Sequence, residues 1–410
     1  MFCRQCGKQV TDDARFCAAC GQPVAADGQE DAVPVRTSRR NTSLLWFVPL
    51  LLMVAAGAWL GGYLHKGAVT KRTPVPAPAP TVAAPAADKA TMPDQLLAAG
   101  DPAAKIGCST PAWSPDGRAI AYVKRPLDAV GVQAKTDLYL TDYEGGMSWT
   151  HRLLAKQADY PAWSRDGAQL AFNQGALCVM DVKSGKIRRL VKDHPADDDT
   201  VAIHYPLSWS ADGRYLLYEA AYWEGGALFL YDFQTGSTMR VEFAQAAWMP
   251  DGRLLLVVNG DMYEEGDEYL AIFDPNTKSL KKLGVNSDAG TLFVPSEHDA
   301  YLYNNTAIQQ LDLSTNRLSE LQPLEARLLA WNPDGKRLAY LVVKSPDDAK
   351  KRQTELHVGQ LGSRHSTLVA AAVMPDSGNW HDRTRVFAWS ADGARLAYAT
   401  GKGDLMIVTP

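Results

Sequence analysis

An all-β ring of repeated four-stranded units is the fold class this sequence predicts for most of its length. Three observations predict it. A seven-letter phrase, "PAWSPDG" at 111–117, recurs as "PAWSRDG" and "LSWSADG", and in looser form almost to the end of the chain. Each copy runs into a short apolar strand. Between copies stands a second phrase, a strand closing on Asp before a polar turn, as in "LYLTDYEGG" and "LFLYDFQTG".

The elements are taken from the N-terminus. The chain has 410 residues and a net charge of −4, room for two or three domains and no global reason to expect nucleic acid. Cys3, Cys6, Cys17 and Cys20 crowd residues 1–24, leaving only Cys108 and Cys178 elsewhere. A secreted disulfide framework would spread its cysteines through the folded body. Two CxxC pairs, each followed by glycine, place four thiolates at tetrahedral corners, the geometry of closed structural zinc. A redox dithiol pair or an iron–sulfur site is the competing use. So short a segment has no core of its own, so metal binding supplies most of its folding energy. Four protein ligands leave no open coordination position for catalysis. "KQVTDDARF" between the pairs lacks a basic cluster, which again argues against nucleic acid.

Residues 25–42 form a polar tether with Arg36, Arg39 and Arg40. Ser43–Leu64 is then 22 residues without a charge, with Trp46, Trp59 and Tyr63 towards its ends. That length and those flanking aromatics predict a single transmembrane helix. Residues 65–95 hold the Pro/Ala run "TPVPAPAPTVAAPAA", which cannot bury a core and predicts an extended spacer. Basic residues stand on both sides of the apolar segment, so charge does not orient it. Thiol chemistry does: zinc-binding cysteines survive most readily in a reducing compartment. The expected arrangement is a bacterial inner membrane protein with a cytoplasmic N-terminus, open to a cytoplasmic partner of the zinc segment, and a periplasmic ring.

Residues 96–410 carry the repeats. Trp113, Trp163, Trp209, Trp248, Trp331 and Trp389 each precede an Asp-Gly turn, and "LFVPSEHDAYLYN" at 292–304 is a degenerate copy with Phe293 in the tryptophan's place. Asp-Gly between apolar runs is a hairpin signal, because glycine accepts a positive φ. Two hairpins per repeat at this period predict a seven-bladed β-propeller, with six or eight blades as alternatives. The last repeat ends after "DLMIVTP", so a segment near 96–106 is expected to supply its missing outer strand. The tryptophans read as packing between blades and the aspartates as holding turns.

These motifs resemble the TolB-type propeller repeats, whose mark is the W-S-P-D-G turn before an apolar strand. The cysteine segment resembles the short zinc ribbons at the N-termini of bacterial membrane proteins. Propellers of this kind serve as binding platforms and also as parts of peptidases and lyases. No G-x-S-x-G elbow is present, and no α/β domain follows the repeats, so the chain is expected not to be an enzyme. The expected role is a protein-binding or scaffolding platform, the alternatives being a transmembrane sensor and a propeller lyase or hydrolase. Partner contacts are expected on the long-loop face, from Tyr222, Trp223, Trp380, Asp198 and Glu265. His194, His204 and His381 could meet above the channel, although their spacing does not demand it.

The full-length protein is expected to carry a single structural zinc ion. Cys6→Ser combined with Cys20→Ser should release it, read by metal analysis after dialysis against chelator. A double variant that retained its zinc would overturn the four-thiolate site.

Overall fold

The computed structural model describes residues 88–89, 95–127, 136–142, 150–193, 203–222, 225–241, 244–258, 268–344, 353–373 and 385–410. The chain divides into two units, Met1–Ala79 and Pro80–Pro410, and every described residue belongs to the second. The four N-terminal cysteines and the apolar segment 43–64 lie outside the described residues. Among the described residues no helix is long and apolar enough to cross a membrane.

The second unit is a seven-bladed propeller of antiparallel four-stranded sheets. Blade one runs Ile106–Trp113, Ala119–Pro126, Asp137–Asp142 and Thr150–Lys156, from inner to outer strand. The inner strands of blades two to seven are Asp159–Trp163, Ile203–Trp209, Ala244–Trp248, Thr291–Phe293, Leu329–Trp331 and Phe387–Trp389. Asp88–Lys89, inside the stretch read as a spacer, adds a fifth, parallel strand to the outer edge of blade six.

The repeated phrase is a turn that satisfies itself. In blade one the Gly117 N–H donates to the Ser114 carbonyl, and the Ser114 hydroxyl donates to Asp116 Oδ1 at 2.6 Å. The same carboxylate oxygen accepts the Arg118 N–H, and the serine hydroxyl oxygen accepts that of Ala119. Gly117 sits at φ +68°, where a side chain would be strained. The pattern repeats at Ser164/Asp166, Ser210/Asp212 and Ser390/Asp392. The hydroxyl's hydrogen bond holds the Asp116 and Asp166 carboxyls below their ordinary range, so both stay ionised.

The tryptophan that opens the phrase ties one blade to the one before it. Trp113 Nε1–H donates to the Ala388 carbonyl, Trp163 to Ala112, Trp209 to Ala162 and Trp389 to Ala330, all at 3.0–3.2 Å. Each acceptor lies one residue ahead of the preceding blade's own tryptophan. Trp248 and Trp331 have buried indole nitrogens without a hydrogen-bond partner. In blade five, Phe293 holds the tryptophan's place in sequence but turns its ring forward, stacking on Trp331 with centroids 5.6 Å apart. Leu292 packs back against the apolar cluster shared with blade four. Clusters of this kind fill the spaces between successive blades, for example Val123, Leu138 and Phe172 between blades one and two.

The ring closes where the sequence leaves a strand missing. Blade seven supplies three strands, and Gln95–Ala98 pairs antiparallel with Leu405–Val408 as the fourth. Leu97 is buried among Cys108, Tyr122, Leu405 and Ile407. Just beyond, Cys108 N–H donates to the Gly403 carbonyl, and a Cβ on Gly403 would stand 2.6 Å from the Gly107 Cα. The two ends of the ring are thus joined by backbone contact that only glycine permits.

Leu97 is 3 % exposed and its neighbour Leu96 is 51 % exposed, so the closing strand has one core face and one solvent face. Leu97→Ala is expected to cost about 2–5 kcal/mol in denaturant unfolding. Leu96→Ala is expected to cost under about 0.5 kcal/mol. Equal costs would mean that this strand does not close the ring.

Candidate functional site

Strands within a blade alternate in direction, so the turns after the first and third strands share one face of the ring. The second-to-third connections and the links between blades share the other. The first face carries the Asp-Gly turns. The second carries the long loops, much of whose length (128–135, 194–202, 259–267, 345–352, 374–384) lies outside the described residues.

Trp223, Trp380, Asp198 and Glu265 therefore fall outside the described residues, as do Cys3, Cys6, Cys17 and Cys20, the expected zinc ligands. Tyr222 ends the second strand of blade three, its backbone paired with Gly225. Of the three histidines expected near the channel, His194 and His381 lie outside the described residues and His204 within them.

His204 sits near the loop-face end of blade three's inner strand and is 5 % exposed. Its Nδ1 stands 2.7 Å from Asp193 Oδ1, and its backbone N–H donates to the same oxygen at 3.2 Å. The Asn173 amide donates to Asp193 Oδ2 at 2.8 Å and to the His204 carbonyl at 3.0 Å. Asp193 is thus fixed from two sides, and the imidazole leans on Tyr218. A carboxylate on Nδ1 holds the proton there and leaves Nε2 as the nitrogen that can take one up.

Sequence reading named His204 but not Asp193 or Asn173. The available signal was position: Asp193 and His204 flank the same connection, so closing that loop brings them together. Beside them Tyr160 takes φ +60° directly before Pro161, and in blade one Thr110 takes φ +51° before Pro111. A residue preceding proline prefers extended backbone, so both inner strands hold local strain at the loop-face end. The Tyr160 ring meets Tyr205 edge-on at 4.5 Å.

Other titratable groups serve the scaffold. His151 bonds Tyr122 and His357 bonds Glu355. Cys108 and Cys178 are free and buried, and burial pushes the Cys108 thiol up to about 11, which keeps it unreactive. Among the described residues no group of three or more His, Cys, Asp or Glu could hold a metal ion. On the turn face, a cleft of ≈ 640 Å³ opens between blades one and two, lined by Asp116, Ala119, Asp142, Trp163 and Asp166 among others.

Comparison with known proteins adds three findings. Residues 2–24 match the zinc-ribbon domain. An uncharacterized peptidase of Bacillus subtilis (strain 168), YuxL, is 29 % identical over 142 residues, covering 33 % of this chain and 20 % of the relative. The chain thus spans about a fifth of that relative's length. An oligogalacturonate lyase solved in complex with manganese shares the fold at TM-score 0.56 and 15 % identity, over 78 % of this chain and 98 % of the lyase. TolB from Acinetobacter baumannii matches at TM-score 0.36 and 20 % identity, over 57 % of this chain and 63 % of that one, too slight a likeness to build on.

The expectation that the chain is no enzyme is corrected by these likenesses. The relative found by sequence is named a peptidase, and the ring has the fold of a lyase. A missing G-x-S-x-G elbow excludes only a nucleophile held in that local turn. Polar pairs that the fold brings together across two blades leave no such motif to read, and Asp193 with His204 is one such pair.

Proposed function

We propose that the chain is a membrane-anchored propeller enzyme of the hydrolase or lyase class, working outside the cytoplasm with His204 as its acid–base group. The observation that carries this reading is the buried His204–Asp193 pair, held by Asn173 at the loop-face end of an inner strand. In a hydrolase the imidazole would deprotonate the attacking water. In a lyase it would remove a proton beside a carbonyl. Either step needs a neutral Nε2 and a partner on Nδ1 that steadies the imidazolium formed. The relative named a peptidase favours a peptide-like substrate. In this reading Tyr222, Trp223, Trp380, Asp198 and Glu265 form the rim that receives it. The described residues offer no three-donor metal set, so no step is routed through a metal.

In this reading residues 43–64 anchor the chain in a bacterial inner membrane. Cys3, Cys6, Cys17 and Cys20 bind structural zinc on the cytoplasmic side, where the ribbon can meet a partner. The donor chemistry fits, since four thiolates complete a closed tetrahedral shell.

Turnover is expected on a panel of fluorogenic peptides and oligogalacturonate, followed by fluorescence and by absorbance of unsaturated product. His204→Gln should lower that rate by about 10²–10⁴-fold with the melting temperature unchanged. A panel without turnover, or a variant that retains the rate, would remove the acid–base assignment. A periplasm-dependent reporter fused after Pro410 should be active, and one fused before Met1 silent; the opposite pattern would place the ring in the cytoplasm.

A further inference from the structure

The turn-face cleft lies at a position that two other blades fill with an arginine. In blades six and seven, the residue just ahead of the second strand's apolar run is an arginine reaching to the next blade. The Arg337 guanidinium lies 5.3 Å from the centroid of Trp389, and its Nη2 donates to the Gly393 carbonyl at 2.7 Å. The Arg395 guanidinium lies 4.6 Å from the centroid of Trp113 and donates to the Gly117 carbonyl at 2.9 Å. Each time the socket has the same parts: the indole of the next blade and the glycine carbonyl of its Asp-Gly turn.

Blade one has the socket's counterpart without the arginine. The pairings Trp113 with Ile120, Trp331 with Leu338 and Trp389 with Leu396 put Ala119 in register with Arg337 and Arg395. Facing it are Trp163 and Gly167, the matching indole and turn of blade two. An alanine fills little of the space, and the cleft is what remains. Its wall holds the carboxyls of Asp116, Asp142 and Asp166 against one guanidinium, that of Arg118. The charge left over is negative.

We propose that this cleft binds the side chain of an arginine on a peptide or protein partner, in the place that Arg337 and Arg395 fill in the neighbouring interfaces. A guanidinium suits it better than an ammonium, because it is planar, stacks on an indole and offers several donors in one plane. A peptide suits it better than a small guanidine, since ≈ 640 Å³ far exceeds the head group and accommodates the stem and flanking backbone. The site is on the opposite face from His204 and is independent of the acid–base reading.

The test is calorimetric titration of the detergent-solubilised full chain with Ac-Ala-Arg-Ala-NH2, its lysine and citrulline counterparts, and free arginine. The arginine peptide is expected to bind at least tenfold tighter than the lysine peptide, and the neutral citrulline peptide should not bind measurably. Ala119→Arg should abolish binding by supplying the ring's own guanidinium. Asp142→Asn, at an exposed strand end, should weaken binding about threefold to tenfold and keeps the proposal testable if Ala119→Arg does not fold. Equal binding of the citrulline peptide, or unchanged binding by a folded Ala119→Arg or by Asp142→Asn, would overturn the site. Free arginine binding as tightly as the peptide would overturn the assignment to a peptide partner.

Discussion

The fold depends on one contact repeated around the ring, the tryptophan indole of a blade donating to the inner-strand carbonyl of the blade before it. That bond joins the backbone of one sheet to a side chain of the next, at the radius where the sheets are closest. It fixes their separation as well as their rotation, which apolar packing alone does not. The four contacts made this way link blades six, seven, one, two and three in unbroken order. Blades four and five are held differently. Trp248 and Trp331 leave a buried N–H without a partner, at a cost of about 1–3 kcal/mol each. Stacked rings of Phe293 and Tyr301 on Trp331 offset part of that loss. The indole latches are therefore concentrated on the side that includes the closing strand.

Closure and latching reinforce one another. Gln95–Ala98 brings the start of the ring onto its last blade, and the Trp113 bond to Ala388 clasps the same pair of blades from within. One clasp lies at the outer edge and the other near the inner strands, so opening blade seven requires breaking both. The chain meets the ring first at the outer edge of blade six, through Asp88–Lys89, and then at blade seven, through the strand that closes it.

Much of this was legible in the sequence, for physical reasons that can be named. Hairpins show because Asp-Gly and serine must stand at fixed offsets to satisfy the turn, and the missing outer strand shows because the last repeat is short. The latch was half legible. Tryptophan marks the donor, and every acceptor that is used belongs to an alanine, at 112, 162, 330 and 388, whereas the two unpartnered indoles face blades with Ser208 and Leu292 at that position. That correlation is visible only once the pairing of blades is known. The His204 site was only partly legible: Asp193 flanks the same connection, while Asn173 is distant in sequence. Asn173 comes from an inner hairpin of blade two, and no sequence spacing encodes a contact made by the docking of two blades. Phe293 shows the opposite error: its place in the phrase was right, but side-chain direction depends on a register that the degenerate repeat alters.

A repeat protein also makes function easier to locate than a single-copy fold does, because each blade is a control for the others. A residue conforming to the phrase is explained by the phrase. A departure needs a second explanation, in packing or in binding. Phe293 departs and is compensated by stacking on Trp331. Tyr215, in the position of Arg395, departs and is compensated by burial in the cluster between blades three and four. Ala119 stands where blades six and seven carry Arg337 and Arg395 and leaves a cleft, with the carboxylates of two turns held in their ionised form around it. The turns at Asp116 and Asp166 stabilise the scaffold as the others do, and where no arginine of the ring stands beside them the proposed complement is a guanidinium from another molecule.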